Sequence, residues 1–385
     1  MDTLYMRFLS LEKFLEIYSK NNLKDFDDFM KKTKVRIGTN TKPLIQYSYE
    51  KNISKNDLQM IFENIQRRNE YLERFYMTSL KVPDNKNDMH ISDPPMIQSK
   101  MNNNEKVNYK NVIRNMFYKD ILEKTKSGLE NNPTYMQVLA DFYLYNIIDY
   151  KILTPSALHY IKQGRIGSVF SSYYFRASIM NPYLVYSLNH SVLKGTKIFT
   201  PTMGWGSYCY GFLECPYVSE YVGTDVIPNV CKKTQQFATA FYPSKTTTIY
   251  CEPSEDLAKN YNFKRKYREH FDVVFFSPPY FRLELYSGGK QSTSRYKSYD
   301  EWLDKYWRKT IELCHFVLVP GGKICYILSG YGSENTEGIY NLIQDMNNIT
   351  KDVFKCSPKI LKMHNKDVHV TKHRETDEKI IIFKK

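Results

Sequence analysis

The segment Ser277-Pro278-Pro279-Tyr280 ends the apolar run 272–276 and places hydrogen-bond acceptors beside an aromatic ring. Proline fixes φ and has no N–H, so two prolines in succession stop the run in a stiff, extended corner. The Ser277 hydroxyl and the Pro278 carbonyl can then accept hydrogen bonds, and Tyr280 can offer its ring face. A planar amine on a heterocycle needs these groups, because acceptors take its N–H protons while the ring stacks on the heterocycle. The alternative is an ordinary Pro-Pro loop.

Two glycines upstream indicate a backbone turn that approaches a ligand closely. Gly204 and Gly206 follow the apolar run KIF (197–199) and precede CYGFL (209–213), which favours a strand-to-helix junction. The next apolar run ends in Asp225. A carboxylate about 20 residues after such a turn is placed to accept hydrogen bonds from ribose hydroxyl groups.

A third apolar run, TTTIYC (246–251), leads into an acidic stretch that contains Glu255 and Asp256. Either carboxylate can accept a hydrogen bond from an adenine amino group. The alternative is that both acids stabilise a helix N-terminus through the helix dipole. A glycine turn and two acidic tips on successive strands, followed by SPPY on the next, favour a ligand-binding interpretation.

These segments resemble the S-adenosylmethionine-dependent methyltransferases that modify exocyclic amines of nucleic-acid bases, the N4-cytosine and N6-adenine DNA methyltransferases. The family's catalytic motif, (D/N/S)PP(Y/F/W), is matched at 277–280, and its DPFxGxG-like cofactor loop is matched by TPTMGWG at 200–206. The resemblance covers roughly residues 170 to 335. It implies a Rossmann-like methyltransferase fold, S-adenosyl-L-methionine as cofactor, and direct methyl transfer to a flipped-out base of DNA.

The resemblance also assigns roles to individual residues. The catalytic residues it implies are Ser277, Pro278, Pro279 and Tyr280. The cofactor-binding residues it implies are Thr200, Pro201, Gly204, Trp205, Gly206, Asp225, Glu255, Asp256 and, from a motif that closes over the methionine end, Phe175. Thr200 stands where the family usually has an acid, and a hydroxyl is a weaker partner for the methionine ammonium than a carboxylate. The target base, N4 of cytosine or N6 of adenine, stays open.

The segment 281–302, which follows the motif, is a candidate substrate-facing loop. Lys290 and Arg295 can meet phosphates, and Tyr286 and Tyr296 can stack on bases. Long irregular segments beside a site are often functional. The alternative is an ordinary surface loop.

The elements that must position these residues follow from the apolar pattern. From about residue 165, short apolar runs alternate with helix-length intervals, which predicts βαβ units, a largely parallel sheet and the α/β class. The predicted strands are KIFT (197–200), YVGTD (221–225), TTTIYC (246–251), FDVVFFS (271–277), GKICYILS (322–329) and KIIIF (379–383). Ligands of such sheets bind at the carboxyl ends of the strands.

Four regions are predicted along the chain. They are a helical N-terminal region (1–81), a polar linker or mobile loop (82–108), a helical segment (109–164) and a methyltransferase domain (165–385). The first region has an amphipathic stripe through Leu11, Phe14 and Leu15. A helical pattern also extends over 134–153.

Composition limits the class of protein and of partner. The chain has 385 residues and a net charge of +14, which favours a polyanion, with nucleic acid ahead of a membrane surface. Its 42% hydrophobic residues exclude global disorder. The 7 cysteines form no CxxC pair, which argues against a zinc finger or a disulfide framework and fits a reducing compartment. We expect a cytoplasmic protein, or a nuclear one in a eukaryotic host, with no metal site.

Several alternatives stay open at this point. DNA is the expected partner, but +14 does not separate DNA from RNA, so an RNA base amino-methyltransferase is the nearest alternative. Related motifs also serve glutamine side-chain methylation. A non-catalytic nucleic-acid-binding subunit that keeps the fold would fit Thr200, and an unrelated basic α/β protein is the remaining case. The sequence leaves the recognition site, a cognate nuclease of restriction-modification type and the oligomeric state undetermined.

Overall fold

The structure, a computed structural model, describes residues 8–20, 22–129, 132–330, 334–335, 338–364 and 377–385. Its α-helices are α1 (Leu11–Ile17), α2 (Phe26–Lys32), α3 (Leu44–Glu50), α4 (Lys55–Gln66), α5 (Arg68–Phe75), α6 (Tyr109–Met116), α7 (Tyr135–Tyr143), α8 (Pro155–Lys162), α9 (Ile166–Tyr173), α10 (Pro182–Leu188), α11 (Ser207–Leu213), α12 (Pro228–Phe241), α13 (Ser254–Leu257), α14 (Tyr261–Tyr267), α15 (Ser292–Arg295), α16 (Tyr299–Trp302), α17 (Lys309–Val317) and α18 (Leu342–Phe354). Its strands are β1 (Lys34–Ile37), β2 (Asn40–Pro43), β3 (Lys126–Ser127), β4 (Ile147–Asp149), β5 (Lys197–Thr200), β6 (Glu220–Asp225), β7 (Thr246–Cys251), β8 (Phe271–Phe276), β9 (Glu284–Leu285), β10 (Leu318–Leu328), β11 (Glu334–Asn335), β12 (Gly338–Ile339), β13 (Lys359–Lys362) and β14 (Lys379–Lys384).

The described residues form two compact units. The sheet unit contains the described residues of 82–117 and 179–385, and the helical unit contains the described residues of 8–81 and 118–178. These bounds correct the predicted division, in which the methyltransferase domain began at residue 165 and 109–164 was a separate helical segment. Residues 118–178 instead complete the core that begins in 8–81, whereas 82–117 belongs with the sheet.

Residues 82–108, predicted as a polar linker or mobile loop, pack within the sheet unit, and this corrects the prediction. The carboxylate of Glu214 accepts a hydrogen bond from the Ile91 N–H at 2.8 Å and lies 2.8 Å from His90 Nδ1. Apolar side chains along the segment are buried, namely Met89, Ile91, Met96 and Met101. They stand singly among polar residues and prolines, so no periodicity in the sequence reveals them.

The helical unit combines helices with a small three-stranded sheet. The predicted stripe forms α1, which buries Phe14. The prediction of helix over 134–153 is wrong at 144–149, because α7 ends at Tyr143 and 147–149 form β4, parallel to β1, before a short 3-10 helix at Tyr150–Leu153. Asn146 has a φ of 55°, a left-handed conformation that ends the helical path before two β-branched residues. Strands β1 and β2 were not predicted.

The sheet unit is built on a seven-stranded sheet in the order β13-β14-β10-β8-β5-β6-β7. Strands β10, β8, β5, β6 and β7 are parallel, whereas β14 is antiparallel to both of its neighbours. Each of the six predicted runs forms a strand, so the prediction of an α/β fold with a mostly parallel sheet is confirmed. Strand β13 was not predicted.

Strand β8 explains why these runs are so apolar. Val273, Val274, Phe275 and Phe276 follow one another and are at most 1% exposed. Successive side chains point to opposite faces, so both faces of the sheet are covered at this central strand. The chain order reverses between β5 and β8, which makes this the switch point where ligands of open α/β sheets bind.

The opposite, amino-terminal end of this pair is fixed by one carboxylate. Asp272, in β8, accepts hydrogen bonds from the N–H groups of Thr196 at 3.0 and 2.9 Å and of Lys197 at 3.0 Å. The two strands are thereby held in register, and their carboxyl ends lie side by side. Among the described residues, no helix is long and apolar enough to cross a membrane.

Candidate active site

The predicted catalytic segment 277–280 leaves β8 at the switch point. Ser277 Oγ donates a hydrogen bond to the Ile327 carbonyl oxygen at 3.2 Å, near the end of β10. A serine hydroxyl has one proton and two lone pairs. Because the proton is used, Oγ presents acceptor lone pairs to whatever lies at the strand ends. Pro278 is buried and Pro279 is half-buried.

Tyr280 is fixed by the strand end next to β8. Its hydroxyl accepts a hydrogen bond from the Ser329 N–H at 2.7 Å. Burial raises the pKa of Tyr280 to about 12, so the phenol is neutral at physiological pH. The side chain is half-buried, and the hydrogen bond leaves the ring as the group that it can offer to a ligand.

The predicted glycine turn is present at the end of β5. Gly204, Trp205 and Gly206 have φ values of 52°, 61° and 77°. A left-handed conformation costs a residue with a β-carbon roughly 1–2 kcal/mol, so Trp205 is strained. Its indole ring is buried and packs against Tyr286 and Phe117, with ring centroids 5.8 and 6.3 Å away, which offsets that cost.

Tyr208 and Thr202 join the glycine turn to the SPPY segment, and neither was predicted from the sequence. The Tyr208 hydroxyl accepts a hydrogen bond from the Ser277 N–H at 3.1 Å and donates to the Ser277 carbonyl oxygen at 3.4 Å. Thr202 Oγ1 donates to the same oxygen at 3.4 Å. The position of Tyr208, in the first turn of the helix after the glycines, was the available signal. These contacts fix the backbone of Ser277 from the turn and the helix that follow the neighbouring strand β5.

Two predicted cofactor residues beside the turn lie inside the protein. Thr200 is fully buried, and its hydroxyl is 2.6 Å from the hydroxyl of Tyr221 in β6. Pro201 is also buried. The structure therefore uses the Thr200 hydroxyl in a contact between two strands.

Asp225 ends β6, as predicted. Its Oδ1 accepts hydrogen bonds from the N–H groups of Val226 at 2.8 Å and Ile227 at 3.1 Å. Burial raises the pKa of this carboxyl, and the backbone hydrogen bonds oppose that rise by stabilising the carboxylate. The hydrogen bonds also fix its orientation at the tip of the strand.

Glu255 and Asp256, predicted to contact a cofactor, and Arg295 and Tyr296, predicted to contact a substrate, contact one another. Arg295 Nη1 lies 2.8 Å from Glu255 Oε1, and its Nη2 lies 2.9 Å from Asp256 Oδ1. The Tyr296 hydroxyl donates to Glu255 Oε1 at 3.2 Å. Burial raises the pKa of Glu255, and the Arg295 charge opposes the rise. We call these four residues the acidic-tip cluster.

The loop 281–302 folds back onto the strand ends. A β-carbon built at Gly289 would overlap the Val226 carbonyl oxygen, so the loop backbone lies directly against the residue after Asp225. Tyr286 donates a hydrogen bond to Glu284 and packs on Trp205. Lys290 is exposed. The predicted substrate loop thus covers the tip of β6 in this conformation.

Phe175, predicted to close over the methionine end, belongs to the helical unit. Its carbonyl oxygen accepts a hydrogen bond from the Tyr135 N–H at 2.9 Å. Within the sheet unit, the structure brings together the glycine turn, Asp225 and SPPY.

No protein-family model and no curated protein match this chain. Among solved structures, SMU.776, described as a methyltransferase complexed with SAH, is 12% identical with a TM-score of 0.37, and the match covers 55% of this chain and 52% of that one. The N-methyltransferase NodS from Bradyrhizobium japonicum WM9, in complex with S-adenosyl-L-homocysteine, is 10% identical with a TM-score of 0.34, covering 52% and 82%. Spermidine synthase from Thermotoga maritima is 10% identical with a TM-score of 0.31, covering 49% and 54%.

This chain spans about half the length of SMU.776 and of the spermidine synthase. Because these identities and TM-scores are low, the functional assignment rests on the sheet order and on the residues of the site.

Proposed function

We propose that the sheet unit transfers a methyl group from S-adenosyl-L-methionine to an exocyclic amino nitrogen of a DNA base, N4 of cytosine or N6 of adenine. The observation that carries this proposal is the Ser277 hydroxyl, whose proton is donated to Ile327 at the switch point. Oγ is thereby left with acceptor lone pairs, and the Pro278 carbonyl and the Tyr280 ring follow it in the chain. An amino group on a flat heterocycle is the ligand that this set suits.

The residues at the tips of β5 and β6 suit the proposed cofactor in part. The glycine turn 204–206 gives a backbone that a ligand can approach closely, and Asp225 would accept from ribose hydroxyl groups. Arg295 contacts one oxygen of Glu255 and one of Asp256, so an adenine amino group would have to use the second oxygen of either carboxylate or displace Arg295. When bound, this cofactor supplies an electrophilic methyl group on a sulfonium.

The chain's own residues would contribute by positioning the acceptor nitrogen. Ser277 Oγ and the Pro278 carbonyl would take the two N–H protons in hydrogen bonds, which directs the nitrogen lone pair away from the ring. Tyr280 would stack on the base. Preorganised acceptors of this kind require no covalent enzyme intermediate and can carry most of the rate. In a duplex the amine lies within the base pair, so the base would be flipped out.

Two features support a nucleic acid as the source of the amine. The net charge of +14 favours a polyanion, and the exposed Lys290 lies on the loop beside the site. An RNA base satisfies the same acceptors, so RNA is the alternative substrate.

The test is methyl transfer from labelled S-adenosyl-L-methionine to duplex DNA, single-stranded DNA and structured RNA, with nucleosides identified by mass spectrometry. We expect N4-methylcytosine or N6-methyladenine in DNA. Ser277→Ala should lower kcat/KM roughly 10²-fold, since it removes one preorganised group. The matched control is Ser219→Ala, because Ser219 Oγ also donates to a backbone carbonyl, at 3.3 Å, but at the amino end of β6.

The outcomes separate the alternatives. Product only in RNA would transfer the proposal to RNA bases. A lack of cofactor binding in calorimetry, together with no methylated product, would favour the non-catalytic subunit. Full activity of the Ser277→Ala variant would refute the role given to the SPPY segment.

A further inference from the structure

The helical unit contains an open cleft of ≈ 390 Å³ whose lining is basic. Arg74, Arg165 and Arg176 line it, and no Asp or Glu of the described chain does. A volume of this order suits a ligand of nucleotide size. The cleft is formed by residues of the helical unit alone.

The three arginines have no anionic partner in the part of the chain that the structure describes. Neither an ion pair nor a hydrogen bond with a described residue engages their guanidinium groups. Arg74 and Arg176 lie instead over the rings of Tyr71 and Tyr135, 5.8 and 5.6 Å from the centroids. Arg36, Arg295 and Arg308, by contrast, each pair with a carboxylate. Three cations on one cleft repel one another, and a bound anion would offset that repulsion.

The N-terminal turn of α9 adds positive potential to the same cleft. Gly167 and Ser168 line it, and the first turn of the helix carries no acidic residue. A β-carbon at Gly167 would lie 2.9 Å from Tyr71 Cε2, so glycine lets the turn sit directly on this ring. The N-terminal end of a helix carries a partial positive charge and favours anions.

A rigid aromatic floor holds these groups in place. Tyr71, Phe75 and Tyr135 are buried. The hydroxyl groups of Tyr71 and Tyr135 share a hydrogen bond, and the rings of Phe75 and Tyr135 stack with centroids 5.0 Å apart. The arginines that lie on these rings are therefore partly preorganised.

We propose that this cleft binds a phosphate group of a nucleic-acid backbone. The guanidinium fork matches phosphate oxygens, and stacking on an aromatic ring restricts its orientation. The assignment of a phosphate site rests on the cleft itself. Only the choice of nucleic acid as the source of the phosphate rests on the proposed function. The helical unit thereby gains a role in holding the polyanion, separate from the chemistry of the sheet unit.

The test measures binding of a fluorescent single-stranded oligonucleotide to the full-length protein by anisotropy, over a range of salt concentrations. We expect Arg165→Ala to weaken binding roughly tenfold, the value for one charge-assisted hydrogen bond. The slope of log K against log salt should fall by about 0.7 for each phosphate that the variant no longer neutralises. Arg165→Lys, which keeps the charge, should recover part of the affinity.

The matched control is Arg67→Ala, because Arg67 is an exposed arginine of the same unit and does not line the cleft. Equal loss of affinity in the Arg67 and Arg165 variants, or no loss in either, would overturn the proposal. Equal melting temperatures of the two alanine variants would show that Arg165→Ala is folded. If it is not folded, binding is compared between Arg165→Lys and the unmodified protein instead.

Two further measurements complete the test. One distinguishes free phosphate from nucleic-acid phosphate as the ligand of the cleft, and the other distinguishes failure of the cleft proposal from failure of the proposed function. Inorganic phosphate should compete only weakly with the oligonucleotide. If phosphate binds the cleft but Arg165→Ala leaves oligonucleotide affinity unchanged, a nucleic-acid role is refuted. If methyl transfer is absent while oligonucleotide binding still depends on Arg165, the proposed function fails and the cleft assignment stands.

Discussion

Replacement of Arg295 by alanine is expected to destabilise the sheet unit, and more strongly at pH 8 than at pH 4.5. Arg295 contacts Glu255 at 2.8 Å and Asp256 at 2.9 Å. The Glu255 side chain is 4% exposed, and that of Arg295 is 27% exposed. Loss of the arginine would therefore leave a buried carboxylate without its cation.

The size of the effect follows from this exposure. Removing one partner of a fully buried ion pair costs about 3–5 kcal/mol, and an exposed pair is worth about 0–1 kcal/mol. Since one partner is buried and the other partly exposed, we expect a loss of about 2 kcal/mol at pH 8. For a unit of this size, that loss lowers the melting temperature by about 4–8 °C.

The pH dependence follows from the pKa of Glu255. Burial raises this pKa, and the Arg295 charge lowers it, so removal of Arg295 raises it further. A carboxyl whose pKa is higher in the folded than in the unfolded protein binds a proton more tightly when folded. Ionisation of such a carboxyl therefore destabilises the folded protein. This destabilisation is small near the unfolded pKa, about 4.3, and grows as the pH rises to the folded pKa.

The assay is thermal unfolding of the full-length protein, followed by circular dichroism at both pH values. Arg308→Ala is the matched control, because Arg308 and Asp352 form a pair that is 32% and 56% exposed, and little change is expected. Adding Glu255→Gln to Arg295→Ala removes the buried charge and should recover most of the loss. An equal loss at pH 4.5 and pH 8, or no recovery with glutamine, would refute the reasoning.

Two further predictions concern the loop and the motif backbone. Gly289→Ala would drive a β-carbon into the Val226 carbonyl oxygen, so we expect faster tryptic cleavage within 282–297 than in Gly288→Ala, where nothing lies within 4 Å. Both glycines have positive φ, so equal cleavage of the two variants would contradict the proposed overlap. Tyr208→Phe removes both hydrogen bonds to the Ser277 backbone, and we expect a loss of about 1 kcal/mol and lower kcat in the methylation assay. An unchanged kcat would leave Tyr208 with a structural role alone.

Much of the sheet could be predicted because its signals are local. Buried parallel strands appear as continuous apolar runs, and glycine and proline mark where such runs end. The glycine turn, Asp225 and SPPY each directly follow such a run, so chain order sufficed to place them at one edge of the sheet. Residues 82–108 lack a local signal, since their buried side chains are held by contacts with residues about a hundred positions away, such as Glu214.

The acidic-tip cluster shows contacts that the sequence did not predict. The sequence assigned Glu255 and Arg295 to two different ligands, whereas in the structure they pair with each other. A carboxylate needs a hydrogen-bond donor, and a guanidinium needs an acceptor. The two groups can meet these requirements by pairing with each other, or the carboxylate can bind adenine and the guanidinium can bind phosphate. Only the fold of the loop distinguishes these cases, and Gly289, which permits that fold, resembles any other flexible loop glycine in the sequence.

Packing between β5 and β6 accounts for a threonine at position 200. Its hydroxyl and that of Tyr221 satisfy each other in a fully buried site between two strands. An aspartate at position 200 would place an ionised carboxylate in that site, and burial of a charge without a cation costs several kcal/mol. Threonine keeps the hydrogen bond without the charge. If the cofactor binds at the switch point as proposed, its ammonium group must therefore be met by an acceptor other than residue 200.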